Sequence, residues 1–354
     1  MVSLDHVALP LDVVRGASLR FLSRSPLLTR VLGRRDTRIA ALGAAQVLLL
    51  FALTLRFPVA LFFLGPVLLG VVHLAADVRY LALRMAPPRP LVVASVVLAV
   101  GLTAVRAAVG LGEVSTILGA RLDMAVGITW VGLALVLRLQ RSRRALVLGA
   151  PLFGAVAALV LTHAQLGDVL LTHLHNVLAL VLWLTLFRRR PGWTALPVAL
   201  VVLGSGVLLS GAFLPWTAQQ GGLGAFGVAV SRLGAGLAPG AAPHVAAAVV
   251  MVFVFLQSVH YAVWTAWIPQ DCLVGEGTPT FRMTARSLLA DFGPWALAAV
   301  AGLFVVFAAL ACWHFRQTVI WYLTLVRAHA WFEVAIFTFF VGRPRVPRVR
   351  SRTL

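Results

Sequence analysis

Residues 58–83 read PVALFFLGPVLLGVVHLAADVRYLAL, and before Arg79 their only ionisable groups are His73 and Asp77. As a helix rising about 1.5 Å per residue, such a run is long enough to cross a hydrocarbon layer of about 30 Å. His73 and Asp77 are four residues apart, so imidazole and carboxylate lie on one helix face, one turn apart. The pattern recurs at 326–337, VRAHAWFEVAIF, with His329 and Glu333. Ionisable groups inside an apolar span cost about 2.5–3.5 kcal/mol each on insertion scales, which marks them as functional candidates.

Composition extends this to the whole chain. Of 354 residues 61% are hydrophobic, only 12% are charged and mean hydropathy is +0.96. That excludes an ordinary soluble domain, which carries about 25% charged residues. The expected fold class is all-α: a polytopic integral membrane bundle. Apolar runs place ten helices near 39–55, 58–83, 91–109, 124–140, 145–163, 168–187, 193–215, 244–268, 294–312 and 318–341. Segment 220–243, which contains GGLGAFGVAV, is expected to be an external loop or re-entrant element.

The net charge of +19 comes from arginine alone, since the chain has no lysine. With both termini on the cytoplasmic side, 24 of the 30 arginines fall in cytoplasmic segments and five on the outer side, while Arg327 lies within a helix. This is the positive-inside pattern, so the basic balance reflects topology and anionic lipids, and no nucleic-acid partner is implied. The expected location is a bacterial-type inner membrane, crossed many times. Residues 1–38 alternate arginines with Leu19, Phe21, Leu22, Leu27, Leu28 and Val31, as an amphipathic surface helix does, and contain no signal-peptide pattern. The transmembrane domain is expected over 39–341, followed by a short basic tail, 342–354. Cys272 and Cys312 fall on opposite sides and are read as structural thiols.

Depth sorts the histidines. His163, His173, His244 and His314 come near outer helix ends; His73, His260 and His329 lie deeper, with His175 between the layers. Gln257, His260, Tyr261 and Trp264 sit within two turns in FLQSVHYAVWTAWIPQD. The i, i+2 spacing of His173 and His175 puts them on different faces, and depth favours His175 for the inner group. Trp264 and Trp331 are deep enough to line an apolar cavity. The expected metal ligands are therefore His73, Asp77, His175, His260, His329 and Glu333, with Tyr261 and Arg327 as catalytic candidates. Imidazoles and carboxylates with open positions suit iron, and also zinc, copper or manganese. One acid of each pair can instead orient its histidine, Asp77 can pair with Arg79, and Glu333 with Arg327.

GVVHLAAD resembles the G-x-P-H-G-x-x-D and H-F-G-x-x-D motifs of the Brp/Blh family of membrane carotene dioxygenases, whose iron is thought to be held by intramembrane histidines. The resemblance implies roles for His73 and Asp77, non-haem iron and a lipophilic substrate. Three readings follow: a membrane iron oxidoreductase acting on a lipophilic small molecule, with a redox partner at the cytoplasmic face; a proton or metal-ion transporter, or a bis-His haem protein; and a scaffold whose polar residues fix helix packing.

Overall fold

The computed structural model describes residues 4–140, 142–188, 192–273 and 277–342. Nearly all of them are helical. In chain order the helices are α1 (Leu4–Leu22), α2 (Pro26–Gly33), α3 (Arg35–Arg56), α4 (Pro58–Asp77), α5 (Arg89–Gly110), α6 (Thr116–Leu139), α7 (Arg143–Thr162) and α8 (Ala164–Leu182). There follow α9 (Ala195–Leu209), α10 (Leu214–Gln219), α11 (Val230–Leu237), α12 (Pro243–Ala262), α13 (Ile268–Asp271), α14 (Phe281–Leu325) and α15 (Arg327–Phe340). The only strands among the described residues form a two-residue hairpin, Gly224–Ala225 with Val228–Ala229.

Eight helical stretches among the described residues are long and apolar enough to cross a membrane, and the chain is a multi-pass membrane protein. The last stretch, Phe281–Phe340, has 60 residues, about three times what one crossing needs. It is bent at Gly293 (φ 73°, ψ 168°), at His314 (φ −133°, ψ 61°) and at Val326 (ψ −1°). Gly293 occupies a region that a side chain would disfavour, and Pro294 after it has no N–H to offer the preceding turn. His314 reverses the direction of the chain. Phe307 and Tyr322, which would lie about 22 Å apart along a straight helix, have ring centroids 5.0 Å apart, and Val71 packs with both.

Several expectations shift. The run expected as one helix over 318–341 is broken at Val326, between α14 and α15. The fourth expected helix begins at Thr116 rather than 124, capped by the Ser115 hydroxyl accepting from Leu118 N. Residues 35–38, assigned to the surface segment, open α3, where Arg38 is buried and donates to Leu32 O and Gln270 Oε1. Segment 220–243 contains the small hairpin and α11, which packs on α12. The tail from 343 onward lies outside the described residues.

Helix α12 is the centre of the bundle. It is apolar all round, as suits a helix buried on every side, and it contacts α3, α4, α8, α9 and α11. Helix α15 packs against α4, α5, α6 and α8. The four helices α4, α8, α12 and α15 thus meet at one depth. Just past their polar residues α4, α8 and α12 loosen into π-helical turns, Val78–Arg84, Trp183–Phe187 and Val263–Trp267. Such widened turns recur at functional sites.

Candidate metal centre

One histidine from each of the four central helices reaches a common point. His73 (α4) and His329 (α15), 256 residues apart in sequence, bring their Nε2 atoms within 3.3 Å. His175 (α8) stands with its ring centroid 4.4 Å from those of both His260 (α12) and His329. His73, His260 and Glu333 are each at most 1% exposed.

The tautomers of the first pair follow from their backbone contacts. His73 Nδ1 lies 3.3 Å from Leu69 O, and His329 Nδ1 bonds Val326 O. A carbonyl oxygen only accepts, so the tautomer that satisfies both carbonyls has its proton on each Nδ1. In the neutral rings both Nε2 atoms are then bare lone pairs facing each other with no proton between them. Two acceptors in that position repel unless a cation lies beside both. Two imidazole nitrogens each about 2.05 Å from one tetrahedral ion stand about 3.3 Å apart, which is the separation found.

The carboxylates lie on the same cluster. Glu333 Oε2 is 3.3 Å from His175 Nδ1, and Oε1 is 4.0 Å from His260 Nε2. One ligand atom from each of His175, His260, His329 and Glu333 fits within a mutual distance of 4.8 Å, as does one from each of His73, Asp77 and His329. Neither oxygen of Asp77 has a hydrogen-bond partner among the described residues, and no well-aligned bond reaches Glu333 or the nitrogens of His260, although the Trp264 indole lies close to Glu333 and the His175 backbone close to His260. Unpaired buried polar atoms are rare and need a partner. Asp77 is not paired with Arg79, which instead binds Asp291 Oδ2 at 2.6 Å and Ser287 Oγ at 2.6 Å.

Arg327 is engaged elsewhere. It pairs with Asp168 and Asp123 and donates to Thr172 Oγ1 at 2.6 Å, while Arg106 joins the same two acids. Glu333 therefore has no arginine partner. Asp123 Oδ1 also accepts from Trp331 Nε1 at 2.8 Å. This network of two arginines and two aspartates ties α5, α6 and α8 to the start of α15. It places Arg327 as a clamp on the helix that carries His329 and Glu333.

A cavity of about 670 Å³ opens onto the histidines. His73, His175, His260, His329, Tyr261 and Arg327 all line it, whereas Asp77 and Glu333 do not. The carboxylates thus sit behind the imidazoles, away from the open side. The Tyr261 ring centroid is 4.7 Å from that of His73, and Tyr261 Oη accepts from Gln257 Nε2 at 3.5 Å. Tyr322 also lines the cavity; its buried hydroxyl has no hydrogen-bond partner. Gly70 makes room for it, since a Cβ there would fall 2.6 Å from Tyr322 Oη. Trp264 and Trp331, deep enough to line a cavity, are packed in the core, and neither lines this one. His173 faces away: its Nε2 donates to Leu237 O at 2.8 Å and fastens α8 to α11.

Sequence reasoning missed Asp123, Asp168, Arg106 and Tyr322. The signal for Asp123 was present, an acid inside an apolar run, but starting that helix at 124 left the residue outside it. Comparison of the chain with family models, curated proteins and solved structures finds no match.

Proposed function

We propose that the protein is an intramembrane metalloprotein whose His73, His175, His260 and His329, with Asp77 and Glu333, hold a divalent cation. We take that cation to be non-haem iron serving oxidation of a lipophilic substrate admitted through the cavity. The observation that carries this reading is the His73–His329 pair, whose Nε2 atoms face each other at 3.3 Å while each Nδ1 faces a backbone carbonyl. A dication there also neutralises the two buried carboxylates, which have no cationic residue beside them. Iron in a His/carboxylate environment supplies oxygen chemistry at its open positions. The chain's own contribution is geometric: backbone carbonyls fix two imidazoles in one tautomer, the carboxylates back the site, and the open side faces the cavity with Tyr261 beside it. The resemblance of GVVHLAAD to Brp/Blh motifs supports the same chemistry.

Bis-His haem fits less well. Axial imidazoles on one iron stand about 4 Å apart, twice a metal–imidazole bond of about 2.0 Å, with a macrocycle between them. Here the separation is 3.3 Å, and two further imidazoles crowd the same space. In the membrane we read ten crossings. They count the apolar helix Gly149–Thr162 and divide 281–340 into two passages that reverse at His314. Both termini and the arginine-rich end, where an acidic redox partner docks, face the cytoplasm.

Elemental analysis and optical spectra of detergent-purified protein test the site. Wild type and H163A, an exposed histidine outside the cluster, should carry about one iron per chain without a Soret band. The H73A/H260A/H329A variant should carry none. Metal content unchanged in the triple variant, or no metal in wild type after iron reconstitution, overturns the reading.

A further inference from the structure

The cavity wall combines the histidine cluster, a set of apolar side chains and two exposed arginines. At its deep end stand the four imidazoles; its middle is walled by Phe62, Phe63, Phe253, Leu233, Ile320 and Leu323. At its mouth stand Arg232, on α11, and Arg316, just past the reversal of α14, both exposed. Neither arginine forms an ion pair with any acid among the described residues. The cavity wall has one acid, Asp168, and it is taken by Arg106 and Arg327. The mouth therefore carries two uncompensated guanidinium groups above an apolar sleeve.

We propose that the cavity binds a single-chain amphiphile with an anionic phosphate or carboxylate headgroup, held by Arg232 and Arg316, with its alkyl chain directed down the sleeve toward the histidines. Guanidinium forks match the paired oxygens of phosphate and carboxylate. Phe and Leu side chains suit an alkyl chain, and a volume of about 670 Å³ is that of a site for one small ligand. The substrate assignment rests on the reading of the histidine cluster as the reacting end, and it places the reacting carbon far from the headgroup. The positions of Arg232 and Arg316 select among lipophilic molecules, favouring acidic amphiphiles over neutral hydrocarbons.

The test uses the full chain purified in a non-ionic detergent and measures retention of labelled dodecyl phosphate, dodecanol and inorganic phosphate. Dodecyl phosphate should bind at least about tenfold more tightly than either other probe. R232Q/R316Q should erase that preference, and R121Q, at an exposed arginine outside the cavity, should keep it. Equal binding of dodecyl phosphate and dodecanol overturns the proposal. So does full retention of inorganic phosphate alone, an inorganic anion site, or equal loss in R121Q, a diffuse charge effect. Metal content separates this from the preceding proposal. R232Q/R316Q should keep its iron, and H73A/H260A/H329A should keep the headgroup preference. A wild type with the preference but without metal sinks the metal reading alone; one with metal but without the preference sinks the amphiphile alone.

Discussion

Gly127 on α6 lies hard against Trp331 on α15, so Gly127→Ala probes how the site is held. A Cβ there would lie 2.0, 2.1 and 2.4 Å from Trp331 Cε2, Cδ2 and Cζ2. Non-bonded carbons rest about 3.5–4.0 Å apart, so the indole must retreat by roughly 1.5 Å. These are fused-ring atoms, and the ring is pinned by its bond to Asp123 at 2.8 Å. Overpacking costs about 1–3 kcal/mol, and a lost bond to a charged acceptor about 1.5–3 kcal/mol. The total is about 2.5–6 kcal/mol, or an apparent Tm lower by roughly 5–12 °C at about 2 °C per kcal/mol. Trp331 lies between His329 and Glu333 in sequence, so iron occupancy should fall with it. Gly101→Ala is the control: nothing lies within 4 Å of its Cβ, and alanine is the better helix former. Equal melting and equal iron content in the two variants would refute the claim that Trp331 packing holds the site.

Two further perturbations test other parts of the structure. Asp123→Asn removes a fully buried carboxylate shared by Arg106, Arg327 and Trp331, and breaking such a buried pair costs about 3–5 kcal/mol; thermal unfolding in detergent should show it, and an unchanged Tm contradicts the clamp role. At the N-terminal end, desolvation raises the Asp12 carboxyl, but N–H groups of Phe281 and Arg282 and the Arg282 guanidinium more than offset it, leaving its pKa below the ordinary 3.8. A depressed carboxyl stabilises the folded state fully above 3.8 and loses that contribution as pH falls through the lower folded value. The α1 contact should therefore hold at neutral pH and loosen only in strong acid. Asp12→Asn should loosen it at pH 7, seen as faster amide exchange at Phe281 and Arg282; exchange unchanged in that variant contradicts the contact.

Much of the fold was legible because a bilayer forces regularity: every backbone group must be bonded within its own helix, so long apolar runs declare themselves. Eight long apolar helical stretches stand among the described residues, and the spacing of His73 with Asp77 and His329 with Glu333 gave two of the four walls. Boundaries were less legible. The reversal at His314 was marked by the polar residues His314, Arg316 and Gln317, which the sequence reading left between two helices, whereas the break at Val326 has no proline or glycine to mark it.

By itself the sequence determined a nearly all-helical bundle of membrane-crossing length and nominated His73, Asp77, His175, His260, His329 and Glu333 as groups of related depth. Only the tertiary structure decided which of them face one another. Depth is set along each helix by residue count, whereas rotation about its axis is set by neighbours: the glycine faces at Gly70 and Gly127, and the clamp of Arg106 and Arg327 on Asp123 and Asp168. That rotation brought two imidazole nitrogens together from positions 256 residues apart.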